Sequence, residues 1–193
     1  MSAEDAAIID LVRRIHQTPH RACLVITGVG SQALAWLFGT PGASRTVLDA
    51  QVPYSTAALD EYVGGPARQH VSAAEATRMA VAALSRARKL AAASGLDPSV
   101  PLIGLGCTGA IATDRVRRGD DRVHVAWTDG TGAKAYSLVF ILREPQDTVM
   151  GARDRKGEER VSSMLILNAL AEACGLPDLL PIGLLPGEAV VVS

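Results

Sequence analysis

Apolar residues recur at every third or fourth position in several segments of the chain, and this spacing predicts amphipathic helices. The segments are three long ones, 3–17, 72–94 and 157–174, and two short ones, 32–38 and 54–62. Ser2 with Asp5, and Ser72 with Glu75, have the spacing of capping boxes at two of the N-termini. A proline or glycine follows each long segment and predicts its end.

Other apolar runs are continuous or loosely alternating and predict strands. They cover residues 21–27, 46–54, 101–107, 122–128 and 135–142. The last two are separated by Asp129-Gly130-Thr131-Gly132, which is typical of a hairpin turn. Helices and strands alternate early and a hairpin follows late, so the order predicts an α/β fold with helices packed on a mixed central sheet. We expect the apolar, proline-containing tail after Pro177 to pack in an extended form.

Length and composition narrow the class of protein. The 193 residues suit one domain spanning 1–193, with a core of about 5–175 and a tail of 176–193. A formal net charge of −1 and only 4% aromatic residues argue against a nucleic-acid or membrane partner. Three widely spaced cysteines without zinc-site spacing indicate free thiols in a reducing compartment and no metal site. With no signal peptide or spanning segment, we expect a cytoplasmic protein.

A glycine-rich turn, Thr27-Gly28-Val29-Gly30-Ser31, joins the first predicted strand to a predicted helix. Glycines let the backbone turn sharply and approach a ligand, and N–H groups at a helix start suit a phosphate or an oxyanion. Thr27 and Ser31 add hydroxyl groups at the same place. On spacing alone, a structural turn with Ser31 as N-cap is favoured, because the turn matches neither a Walker loop nor a dinucleotide-binding fingerprint.

A second glycine-rich stretch, Gly104-Leu105-Gly106-Cys107-Thr108-Gly109, stands at the end of the strand predicted for 101–107. Two such strand ends often converge on one crevice, which makes Gly106, Cys107, Thr108 and Gly109 candidate ligand-binding residues. The alternative is a glycine-rich bend with a core cysteine. The hypothesis that Cys107 is a nucleophile has less support, because no histidine is placed beside it by the sequence.

Two arginine-rich stretches are candidate phosphate clamps. Arg117 and Arg118 belong to the first, residues 113–122, and Arg155 belongs to the second, residues 153–156. On charge alone, solvated loops in which Arg and Asp neutralise each other explain both stretches equally well. The four histidines are scattered along the chain, and we expect surface or structural roles for each of them.

Taken in order, these motifs resemble those of the CinA C-terminal domain, the nicotinamide-nucleotide amidohydrolase family. The matching motifs are Thr27-Gly28-Val29-Gly30-Ser31, Pro41-Gly42-Ala43-Ser44, Val52-Pro53-Tyr54-Ser55, Gln69-His70-Val71-Ser72, Gly106-Cys107-Thr108-Gly109 and the entry to the last helix from Arg155. The similarity spans roughly residues 5–175 and looks greatest to a divergent branch that is fused to nucleotidylyltransferase-like domains. It implies an α/β/α layered domain that removes ammonia from nicotinamide mononucleotide and needs no cofactor.

The resemblance also implies roles for particular residues. In the family, a Ser of the first motif is the nucleophile, and a Tyr and a Lys of a later motif assist it. Counted without gaps, these positions fall on Thr27, Tyr54 and Leu59, while Ser31 is the alternative nucleophile if the turn is shifted. Leu59 cannot act as a base, and a hydroxyl group is a weak nucleophile without one. Ser55 is the same residue type as the family motif has at this position.

Two functions that use this site remain open on this basis, beside a third option, an oligomerising scaffold with no ligand. The first is a hydrolase that acts on the carboxamide of a pyridine nucleotide, in which Thr27 or Ser31 attacks, Tyr54 relays the proton, and the arginines hold the phosphate. Its substrate contacts would come from Gly28, Gly30, Ser55 and the second glycine-rich stretch. The second is a catalytically impaired nucleotide-binding or regulatory protein, which the loss of the Lys favours. The apolar tail and the alanine-rich helix favour a homodimer.

Overall fold

The computed structural model describes residues 2–113, 119–141 and 153–193. Within these ranges the α-helices are α1 (Ala3–Gln17), α2 (Ser31–Gly39), α3 (Thr56–Val63), α4 (Ala73–Ala93) and α5 (Arg155–Ala173). The strands are β1 (Arg21–Thr27), β2 (Val47–Gln51), β3 (Leu102–Ala110), β4 (Arg122–Thr128), β5 (Ala133–Val139) and β6 (Val190–Val192). A short 3-10 helix, Ala43–Arg45, precedes β2.

The strands form one mixed sheet in the order β2-β1-β3-β4-β5-β6. β1 runs parallel to both β2 and β3, whereas β3 to β6 pair antiparallel. The parallel pairs arise because helical crossovers lead from β1 to β2 and from β2 to β3, while a tight turn joins β4 to β5. The α/β class with a mixed central sheet that the sequence predicts is therefore confirmed.

Helices cover both faces of the sheet. Ala22, Leu24 and Ile26 of β1 share a core with α1, α2 and α5. Cys23 and Val25, which alternate with them, pack against α3 and α4 on the other face. Because β1 is buried on both sides, its sequence is a continuous apolar run rather than an alternating one. The predicted layering of helices on both faces is confirmed.

The second glycine-rich stretch is part of strand β3, so the prediction that the strand ends at Cys107 is wrong. β3 continues to Ala110 because it pairs with β1 on one side and with β4 on the other. Gly104 and Gly106 face α4, and a Cβ on Gly104 would lie 2.1 Å from the carbonyl oxygen of Ala80. These glycines therefore allow a helix to pack directly on the strand.

Several predicted boundaries shift by a few residues, each for a local reason. β2 ends at Gln51, two residues before Pro53, and α3 begins only after Ser55, whose hydroxyl accepts the Ala58 N–H at 3.2 Å. The carboxylate of Asp129 accepts the N–H groups of the hairpin turn, so β5 starts at Ala133. The tail is extended as expected and ends in β6, which pairs with β5.

Helix α4 begins with only half of its predicted capping box. The Ser72 hydroxyl accepts the Glu75 N–H at 3.1 Å, but the Glu75 carboxylate pairs with Arg78 instead of returning to the backbone of Ser72. At α1, by contrast, both bonds between Ser2 and Asp5 are present. In the described ranges, no helix is long and apolar enough to span a membrane.

His16 joins three segments on the α1 side of the sheet. Its Nδ1 lies 2.9 Å from the Thr46 hydroxyl and its Nε2 lies 3.0 Å from the Leu37 carbonyl oxygen, both buried. Burial lowers the pKa of His16 below its usual value, and burial likewise lowers the pKa values of His20 and His124. The neutral forms of these histidines are therefore favoured in the folded protein.

Replacement of Gly106 by Ala should destabilise the protein by about 2–3 kcal/mol, because the new Cβ overpacks the contact with α4. This Cβ would lie 2.4 Å from the Ala76 carbonyl oxygen. Gly39→Ala is the matched control, since no atom lies within 4 Å of its Cβ position. Urea unfolding monitored by circular dichroism measures both variants. Equal midpoints for Gly106→Ala and the wild type would contradict the packing described here.

Stability should fall as the pH drops below about 6.5, the usual histidine pKa. Because the folded-state pKa values are lowered, the unfolded chain binds protons that the folded chain does not, and acid favours unfolding. His16→Gln removes one of the three groups, so its unfolding free energy should decline less steeply between pH 7 and pH 5 than that of the wild type. Denaturant titrations at several pH values test this. Parallel curves for the two proteins would exclude the contribution of His16.

Candidate functional site

The first glycine-rich turn passes close to the end of strand β3. Gly28 and Gly30 have φ values of 78° and 99°, a conformation that side-chain-bearing residues rarely adopt. A Cβ on Gly28 would lie 2.0 Å from the Gly109 carbonyl oxygen. Both the turn geometry and the close approach to β3 therefore require glycine at position 28, and they fix the point where the chain leaves β1 for α2.

A cleft opens where the connections after β1 and β2 diverge. The chain after β1 enters α2 on one face of the sheet, and the chain after β2 enters α3 on the other face. Ligands of α/β proteins bind in crevices outside the carboxyl ends of the strands, and this cleft lies at the carboxyl ends of β1 and β2. The cleft has a volume of about 90 Å³ and is lined by Ile26, Thr27, Gly28, Val29, Ser31, Val52, Tyr54, Arg155 and Glu159.

The structure brings together several of the residues singled out from the sequence. Thr27, Gly28, Ser31, Tyr54 and Arg155 all line the cleft. Gly30 takes part through its backbone N–H, as described below, and Ser55 caps α3 just beyond Tyr54. Arg117 and Arg118 lie outside the described residues.

The second glycine-rich stretch does not line this cleft. Gly106 packs under α4, the Thr108 hydroxyl donates to the His70 carbonyl oxygen at 2.7 Å, and Gly109 lies beneath Gly28. Cys107 is fully buried, and desolvation, reinforced by the negative charge of Glu159, raises its thiol pKa well above the usual range. These residues form the floor under the turn, so the crevice lies between β1 and β2 rather than between β1 and β3.

The hydroxyl of Thr27 is engaged by the neighbouring loop. It donates a 2.8 Å hydrogen bond to the carbonyl oxygen of Pro53, and the residue is only 9% exposed. This bond joins the end of β1 to the segment that leads from β2 to α3. Tyr54, which follows Pro53 in the chain, is 69% exposed and lies at the mouth of the cleft.

Ser31 contacts a carboxylate that no sequence motif marks as a site residue. Its hydroxyl donates to Glu159 Oε1 at 2.9 Å. The same carboxylate accepts the N–H of Gly30 at 2.9 Å and the N–H of Gln32 at 3.1 Å. Gly30 is the N-cap position and has no side chain, so Glu159 satisfies the N–H groups at the start of α2 from another helix.

Helix α5 brings Glu159 to this position through contacts on both sides. Arg160 hydrogen-bonds the carboxylates of Glu4 and Asp5 at the start of α1. One turn before Glu159, Arg155 Nη1 donates to the Ala112 carbonyl oxygen at 2.8 Å. The one sequence signal near Glu159 is its position four residues after Arg155, which places both side chains on one face of α5.

Leu59 occupies the position where the resemblance leads us to expect a Lys. It is 3% exposed and belongs to the apolar cluster of Cys23, Val25 and Met79. The folded structure therefore has no charged side chain at this position, in agreement with the count along the sequence. The described residues also contain no group of three His, Cys, Asp or Glu side chains arranged to hold a metal ion.

Thr27→Val should loosen the loop that carries Tyr54, because it removes the hydrogen bond to Pro53 while keeping the shape of the side chain. A loss of about 1 kcal/mol corresponds to roughly fivefold faster amide exchange where the loop opens locally. Hydrogen exchange followed by mass spectrometry on the peptide covering residues 52–58 measures this. Thr27→Ser keeps the hydroxyl and is the control. Equal exchange in both variants would show that the bond does not hold the loop.

No family model matches the sequence, and no curated protein is significantly similar to it. Solved structures do share its architecture. The competence/damage inducible protein CihA from Agrobacterium tumefaciens is 21% identical and has a TM-score of 0.66, over 90% of this chain and 99% of its own. A CinA superfamily protein from Klebsiella pneumoniae is 15% identical with a TM-score of 0.65, over 91% of this chain and 99% of its own.

A further structure, the competence damage-inducible protein A from Klebsiella pneumoniae subsp. pneumoniae, is 16% identical with a TM-score of 0.61. It is matched over 89% of this chain and 98% of its own. Because all three are covered almost completely, the similarity extends over the whole layered arrangement rather than over one motif. The chain therefore has the fold of the CinA superfamily.

Proposed function

We propose that the chain belongs to the CinA C-terminal family and hydrolyses the carboxamide of a pyridine nucleotide such as nicotinamide mononucleotide. The observation that carries this proposal is the convergence of Thr27, Ser31 and Tyr54 on one cleft. These residues come from two separate segments, and the motif order marks them as site residues before any geometry is known. Their cleft also lies outside the carboxyl ends of β1 and β2, the edge of the sheet at which α/β proteins bind ligands.

The size of the cleft suits the reacting end of such a substrate. A whole drug-sized ligand fills a pocket of roughly 300–1,000 Å³, whereas this cleft measures about 90 Å³. It therefore accommodates a carboxamide group, while the sugar and phosphate extend past its mouth. Arg155 lies at that mouth and offers a guanidinium to the phosphate. Arg117 and Arg118 remain proposed phosphate ligands on the basis of sequence alone.

Ser31 is the better placed of the two hydroxyl groups for attack on the carboxamide carbon. The Ser31 side chain is exposed in the cleft, whereas Thr27 is nearly buried and its hydroxyl donates to Pro53. Attack by Ser31 would form an acyl-enzyme and release ammonia, and water would then release the acid. Tyr54 lines the same cleft, and its hydroxyl would relay the proton to the departing ammonia.

A second function, nucleotide binding without hydrolysis, is favoured by the burial of Leu59 in the apolar cluster beside α4. In this case the cleft binds the nucleotide without hydrolysing it, and the nucleotide-bound form of the protein carries out a regulatory role. The two functions differ in turnover but share the binding site, so a single set of measurements separates them.

Incubation of the protein with nicotinamide mononucleotide should release ammonia, detected by a coupled glutamate dehydrogenase assay. Ser31→Ala should lower kcat by at least about 100-fold, because it removes the nucleophile. Ser94→Ala, at the exposed C-cap of α4, should leave the rate unchanged. Thermal shift with the same nucleotide is measured in parallel.

The combination of results decides between the two functions. A thermal shift without ammonia release identifies the binding protein and overturns the hydrolase. Neither a shift nor release, with the protein folded by circular dichroism, overturns both. Full activity of Ser31→Ala together with loss of activity in Thr27→Val, which lacks the hydroxyl, would transfer the role of nucleophile to Thr27.

A further inference from the structure

Among the described residues that line the cleft, Glu159 is the single acidic one, and its carboxylate accepts a hydrogen bond from the Ser31 hydroxyl. A serine attacks a carbonyl efficiently only when a neighbouring group takes its proton. We infer that Glu159 is this proton acceptor, and that it replaces the Lys expected where Leu59 stands. The inference rests on the proposed hydrolytic function for its substrate, but the pairing of Ser31 with Glu159 can be tested without that substrate.

The carboxylate is held in a single orientation. Oε2 accepts the Gly30 N–H, while Oε1 accepts the Gln32 N–H and the Ser31 hydroxyl. The Ser163 hydroxyl, one turn further along α5, approaches Oε1 at 3.4 Å. A nucleophile, a base and groups that orient the base are the three parts of an activated hydroxyl, and all three are present here.

A purely structural cap of α2 explains only part of this arrangement. Capping requires contacts to the N–H groups, and those to Gly30 and Gln32 satisfy it. The contact to the Ser31 side chain adds nothing to the cap, yet it places a carboxylate 2.9 Å from a hydroxyl that faces the cleft. The bonds to the backbone N–H groups hold the carboxylate in place, and the bond to the Ser31 hydroxyl positions it to accept the proton.

The proposed step balances as ordinary acyl transfer. Ser31 Oγ forms a bond to the carboxamide carbon while its proton passes to Glu159 Oε1. The C–N bond then breaks, and the proton moves from Glu159 to the leaving nitrogen, which departs as ammonia. In the second half, water attacks the ester, Glu159 takes the water proton, and the proton returns to Ser31 Oγ as the C–O bond breaks. No external oxidant, reductant or metal enters the scheme.

The test uses the whole 193-residue chain and a fluorophosphonate probe, which labels activated serines whatever their natural substrate. Labelling forms a bond from Ser31 Oγ to phosphorus and expels fluoride, and the hydroxyl proton goes to Glu159. Peptide mass spectrometry should locate the label on Ser31. Glu159→Gln should slow labelling about 100-fold, the usual contribution of a general base. Ser94→Ala, at the exposed C-cap of α4 and outside the cleft lining, should change the rate less than threefold.

The pH dependence distinguishes a proton acceptor from a structural cap. The wild-type labelling rate should rise with pH because a general base must be unprotonated to accept the Ser31 proton, and Glu159→Gln should lose this rise. Glu159→Asp keeps the charge but withdraws it by one methylene, so it should label slowly and still show the rise. Melting temperatures of the variants identify any that fail to fold, in which case the wild-type profile and Glu159→Asp carry the test.

Each outcome has one meaning for the inference. Labelling of Ser31 that depends on Glu159, without ammonia release from nicotinamide mononucleotide, supports the pair and overturns only the proposed substrate. If Glu159→Gln is labelled, or releases ammonia, as fast as the wild type, the inferred role of Glu159 is overturned and the proposed hydrolase function is unaffected. Absence of label on Ser31, or label on Thr27 instead, also overturns the inference.

Discussion

The direct contact between helix α4 and strand β3 is the constraint on which the site depends. No side chain fits between them at Gly104 and Gly106, so the helix lies on the strand itself. The crossover from β2 to β3 is thereby confined to one face of the sheet, while α2 covers the other face. The chain must diverge at the carboxyl ends of β1 and β2, and the cleft is the space that this divergence leaves.

The sequence predicts the helices and the mixed sheet because their signals are local. The spacing of apolar residues in α1 and α4, with serine caps at their starts, depends on neighbours only a few positions away. The role of Gly104 and Gly106 is not predictable in this way. A glycine marks a turn and a close helix contact equally well, and which one applies depends on the segment that packs against it. The sequence therefore predicts a strand end at the second glycine-rich stretch, although this stretch lies inside β3.

The site residues likewise fall into those that sequence motifs predict and one that they do not. The convergence of Thr27, Ser31 and Tyr54 is predictable from the order of motifs, because strand ends of a parallel pair meet at one edge. Glu159 lies 128 residues after Ser31 and reaches it only because α5 packs against α2. No spacing rule links two residues so far apart, so the pair becomes visible only in three dimensions.

The position of Glu159 has a consequence for the kind of group that enters the cleft. The start of an α-helix ordinarily attracts an anion, but at α2 a carboxylate of the protein already accepts these N–H groups. A second negative group nearby is repelled, strongly so where water is excluded. Under the proposed reaction, a neutral carboxamide enters beside Ser31, whereas the carboxylate product experiences repulsion from Glu159. The same side chain that accepts the proton would then also favour the amide over the acid and promote release of the product.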